Sequence, residues 1–184
     1  MDADAVVNPL APEVVRLGDV DDQSVAKLLA RFGLQLRRVP AHTAIPGSYW
    51  GDCEAGLIAE HLYARIDTPL HSILHEACHW ITCTAQRRAH LHTNAADCEA
   101  EEGASCYLQI VLADDLPGFG QTRALIDMDA WGYSFRLGSA KAWFEQDAQD
   151  AQDWLQNAGL IDLQQRPTYR VRQKDDPRNL SWTG

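Results

Sequence analysis

The segment from Pro69 to Gln86 constrains the fold more than any other. Leu70, Ile73, Leu74, Ala77, Trp80 and Ile81 recur at intervals of three and four, which draws an apolar stripe along one side of an α-helix. "DTP" opens it, with Thr68 placed as N-cap and Pro69 at the first helical position. The same helix carries His71, His75 and His79 at spacings of four, with Glu76 directly after the middle one.

Residues i and i+4 of a helix stand one turn apart on the same face, so His75 and His79 can aim a ring nitrogen at one point. Glu76 sits one position further round, where its carboxylate reaches a water bound at that point rather than the metal itself. That is the chemistry of H-E-x-x-H: two imidazole ligands with an adjacent general base. Seven histidines and eight glutamates would produce such a match by chance in about one chain in a hundred, so its placement in a periodic helix matters.

A catalytic zinc site takes three protein ligands and keeps one position open. The H-E-x-x-H-x-x-G-x-x-H extension is absent, because Thr82 and Ala85 stand where Gly and His would be. A second long helix, from about Cys98 to Ala113 with Asp97 as cap, offers acids instead in "DCEAEEGASCYLQIVL". Ala104, Leu108, Val111 and Leu112 form its apolar face, and counting back seven from Leu108 reaches Glu101. A carboxylate on a buried face is costly unless paired or metal-bound, which makes Glu101 the expected third ligand. Glu102 is the fallback, on a more polar side with Cys106 and Gln109; Glu99 lies further round, at the fraying end.

On these residues the chain resembles the gluzincin-type zincin metallopeptidases. More narrowly, "EEGASCYL", read from Glu101 as E-x-x-A-x-x-Y, is similar to the E-x-x-A motif of the ImmA/IrrE-like peptidases. The resemblance covers roughly residues 48–116. It departs from the family at Cys78, where Gly is common, and at Ser105, where Asn or Asp commonly follows the alanine. The resemblance implies zinc held by His75, His79 and Glu101, a zinc-activated water, and Glu76 as the base that drives its attack on a peptide bond. His71, Tyr107 and Tyr133 are the candidates for oxyanion donor or pocket wall.

Elsewhere the periodicity is plainer. Residues 1–22 read as a loosely ordered arm. "SVAKLLARFG" reads as a helix with Val25, Leu28, Leu29 and Phe32 on one face, Ser24 as cap and Gly33 as stop. "LQLRRV" reads as a strand ended by Pro40. "SYWGDCEAGLIAEHLYARI" reads as a hairpin turning at Gly51, Asp52 and Gly56, its second arm running from Leu57 to Ile66. "RRAHLHTNAADC" is a polar connection, "DMDAWGYSFRLGS" an aromatic loop, 140–158 a third helix, and 165–184 a peripheral tail. The expected whole is one α+β, helix-rich, zincin-like domain with a small antiparallel sheet on the H-E-x-x-H helix.

The chain has 184 residues and a net charge of -10, from 16 basic and 26 acidic residues, a surface that disfavours nucleic acid. No run approaches the ~20 apolar residues of a membrane span. Five cysteines without framework spacing, and an acidic N-terminus, suit a cytoplasmic protein. The expected activity is zinc-dependent hydrolysis of a peptide or protein substrate, with oligomeric state open. Its rivals are a catalytically silent zincin-like zinc-binding regulatory or interaction module and a metal-free interaction protein.

Overall fold

The computed structural model describes residues 13–49, 52–92 and 98–173. The first helix, α1 (Asp22–Ala30), buries Val25, Leu28 and Leu29. Its cap is Asp21 rather than Ser24: the Asp21 carboxylate accepts from the Gln23 backbone N–H, and the Ser24 hydroxyl donates to the same carboxylate at 2.9 Å. Gly33 ends the turn with φ +79°, a conformation that suits glycine.

Strand β1 (Gln35–Arg38) pairs in parallel with β3 (His61–Ala64), and β2 (Gly56–Ile58) pairs antiparallel with β3, giving the order β1-β3-β2. The sheet is therefore mixed rather than wholly antiparallel. The hairpin lies inside the segment expected to be one arm, turning at Ala59 and Glu60, with Ala59 at φ 47°. The edge beside β2 is not open. Residues 46–48 run so close that a Cβ on Gly56 would collide with the Pro46 carbonyl, and Ile58 forms a bridge with His92.

Helix α2 (Leu70–Thr82) starts one residue later than expected, with Pro69 in the extended N-cap conformation, and stops well before Gln86. Cys83 is extended, and Thr84 caps a separate short helix, α3 (Ala85–Arg88). Helix α4 (Glu99–Leu112) is the main partner of α2. Both helices carry small buried residues, Ala77 and Cys78 on one and Ala104 and Ser105 on the other, which permit close approach. The Thr82 and Ser105 hydroxyls meet at 3.0 Å across that interface. Ser105, the departure from the family motif, thus ties the two helices together. Asp97, the expected cap of α4, lies outside the described residues.

Helix α5 (Gly120–Trp131) takes in the first five residues of the expected aromatic loop and ends at Gly132 with φ 97°. Its buried face includes Asp127, which accepts from Arg123 and from the Val15 backbone N–H at 2.7 Å. That contact, with fully buried Leu17, anchors residues from Glu13 onward that were expected in a loose arm; residues 1–12 lie outside the described part.

The expected 140–158 helix is two, α6 (Ala140–Gln146) and α7 (Gln149–Asn157). Between them Asp147 leaves the helical region while Arg136 binds its carbonyl and its carboxylate. Residues 165–173 are no tail either: Arg31 lies over the Tyr169 ring, and the Arg172 backbone N–H donates to Ile81 at 2.9 Å. The whole is α+β. Among the described residues no helix is long and apolar enough to cross a membrane. All five cysteines are free thiols.

Candidate metal centre

The α2 spacing does what the sequence implies: the His75 and His79 Nε2 atoms stand 3.0 Å apart. The carboxylate that joins them is that of Glu102. Its oxygens lie 3.3 Å from His75 Nε2 and 3.5 Å from His79 Nε2. These three are the group among the described His, Cys, Asp and Glu residues that can hold a metal ion.

Glu101, the expected ligand, is buried as the heptad count implies but is committed elsewhere. Arg87 donates to both of its oxygens, at 2.8 and 2.9 Å, and Arg172 approaches one at 3.3 Å. Read from the residue that meets the histidines, the motif is E-x-x-S, with Ser105 in the fourth place. Burial located Glu101 correctly; its counter-charges come from α3 and from the 165–173 segment, and neither was visible in the local pattern.

The donor set fits a small divalent cation. Tetrahedral coordination with metal–nitrogen bonds of about 2.0–2.1 Å separates ligand atoms by roughly 3.3–3.4 Å. Here the two imidazole nitrogens are 3.0 Å apart, each has its own Glu102 oxygen at 3.3 or 3.5 Å, and one donor atom from each residue lies within 4.8 Å of the others. His75 is held for the task by Gln109, on the polar side of α4. Its Nδ1–H donates to Gln109 Oε1 at 2.6 Å, which leaves Nε2 turned toward His79 and Glu102. The available signal was the stripe Glu102, Cys106 and Gln109, spaced by four and three along α4.

The electrostatics show that positive charge is favoured at this point. Burial opposes a charge on His75, but Tyr133, Cys106 and Glu102 together hold its pKa well above the ordinary value. Burial also works to raise Glu102, yet its contacts with His75 outweigh this and pull it down to about 2. His79 is pushed down to about 3, first by burial and then by the neighbouring His75. Glu76 is raised to about 7, mainly by burial, and its Oε2 is buried with no hydrogen-bond partner.

The other candidates separate cleanly. Tyr133 belongs to the site, its ring set edge-on to His75 at 5.8 Å. His71 is buried, its ring between Trp131 and Tyr133 at 5.2 and 5.5 Å, and neither of its nitrogens has a hydrogen-bond partner. It is outside the metal-binding group, and burial lowers its pKa to about 3, so the ring is neutral. Tyr107 points away: its hydroxyl donates to Gln165 at 2.8 Å and its ring stacks on Phe144.

Comparison with protein-family models, with curated proteins and with solved structures yields no match.

Proposed function

We propose that this protein is a zinc-dependent metallopeptidase whose ion is held by His75, His79 and Glu102. The carrying observation is the convergence of two imidazole nitrogens and one carboxylate at separations suited to a small divalent ion. Two nitrogen donors with one oxygen favour zinc over calcium or magnesium, which take oxygen shells.

A bound zinc ion supplies Lewis acidity and brings the pKa of a coordinated water toward neutrality. Glu76 supplies the base. Its carboxylate, buried and with Oε2 unpartnered, would take a proton from the attacking water and hand it to the leaving amine. Gln109 fixes the His75 tautomer, and Tyr133 walls one side of the site.

Protein purified without added metal is expected to contain near-stoichiometric zinc by elemental analysis and to lose it in His75→Ala. The zinc-loaded protein is expected to cleave a mixture of casein-derived peptides, and Glu76→Gln to stop cleavage while keeping the zinc. A parent protein that binds no zinc refutes the metal centre. Zinc bound without turnover refutes the peptidase and leaves a zinc-holding interaction module.

A further inference from the structure

A cavity of about 600 Å³ shares Glu102 and Tyr133 with the metal centre, both residues lying in its lining. One side is built from small residues, Ala100 and Gly103 on α4 and Ala151 on α7. The other is aromatic. Phe135 stacks on Trp143 with ring centres 4.7 Å apart, and Tyr133 stacks on Phe135 at 6.1 Å. The volume falls within the roughly 300–1,000 Å³ of small-ligand sites.

Gly103 shows that the space is a property of the sequence. It lies inside α4 without a positive φ, and a Cβ added to it would meet nothing within 4 Å. Neither backbone conformation nor crowding demands glycine there, and glycine destabilises a helix interior relative to alanine. What the missing side chain provides is room beside Glu102.

This inference rests on the peptidase reading: we propose that the cavity is the specificity pocket of the metal centre and receives an aromatic side chain of the peptide next to the scissile bond. Ring faces on one wall favour a stacked or edge-on aromatic guest over an aliphatic one. An acidic guest finds no spare counter-charge, because Arg136 in the lining already pairs with Asp147 at 2.7 Å and Asp150 at 3.1 Å. A basic guest finds Glu99, which is exposed, Glu102, which is engaged by the histidines, and Asp150, which is paired with Arg136. The aromatic wall comes from Tyr133 onward, beyond the 48–116 stretch that carries the family resemblance.

The test is calorimetric titration of the zinc-loaded protein with L-phenylalanine hydroxamate and with glycine hydroxamate. The phenylalanine compound is expected to bind roughly tenfold tighter or better. Gly103→Leu, which fills the cavity from α4, should remove that advantage and leave glycine hydroxamate within about twofold of its parent affinity. Ala100→Phe, at an exposed position, is a second variant with little folding risk and the same expected result. Equal affinities in the parent, or an undiminished advantage in both variants, overturns the pocket. Failure of glycine hydroxamate to bind at all overturns the metal centre instead, so the two readings fail separately.

Discussion

Glu101 and Glu102 are neighbours on one helix, and replacing each with glutamine separates the structural acid from the chemical one. The Glu101 side chain is 3% exposed and answers two arginines. Neutralising it takes from Arg87 and Arg172 the carboxylate to which both donate. Removing one partner of a buried pair costs about 3–5 kcal/mol. Arg87 is 27% exposed, so water recovers part of this, and the expected loss is about 2–4 kcal/mol. For a chain of this length each kcal/mol moves Tm by about 2–4 °C, so Glu101→Gln should melt roughly 5–15 °C lower.

Glu102 is 42% exposed and its partners can shed their proton, so losing its charge should cost less metal-free stability than the loss at Glu101. Its zinc affinity should instead fall by more than the ~10–100-fold seen when an outer hydrogen-bond partner of a ligand is lost. Thermal melts in chelator and competition with a fluorescent zinc indicator read the two effects independently. The reasoning is refuted if folded Glu101→Gln loses zinc as severely as Glu102→Gln, or if Glu102→Gln binds zinc like the parent.

Two further outcomes follow from the same centre. Gln109→Leu removes the acceptor that holds His75 Nδ1 at 2.6 Å, and zinc affinity in the same competition assay should drop about 10–100-fold; an unchanged affinity refutes the role given to Gln109. Glu76 is raised by burial from 4.5 to about 7, so its ionised form is disfavoured in the fold. The metal-free protein should therefore lose stability from this group as pH rises from about 4.5 to about 7, by up to about 3 kcal/mol. Glu76→Gln lacks that loss, so melts in chelator should show it more stable than the parent at pH 8 and equal at pH 4; parallel curves across that range refute the assignment.

What the sequence disclosed and what it hid have particular causes. Helices α2 and α4 were legible because their apolar residues keep a clean period. Helix α5 was not, since its pattern is inverted at adjacent positions: Ile126 is 56% exposed while Asp127 is fully buried on Arg123 and Val15. The hairpin turn was missed because Ala59 and Glu60 carry none of the Gly, Asn or Asp signals that mark such turns. The break between α6 and α7 contains neither Pro nor Gly and depends on Arg136, distant from it in sequence. At the metal centre, periodicity found the buried acid but could not find its arginines, and the stripe judged merely polar turned out to face the histidines.

The reach of Arg172 back to Glu101 has a consequence for how the molecule is made. A nascent chain extended only to residue 165 already holds both imidazoles and Glu102, but its interior acid has Arg87 and not yet the second guanidinium. The junction between the histidine helix and its neighbour is thus completed only when a segment 71 residues downstream of that acid arrives to close it.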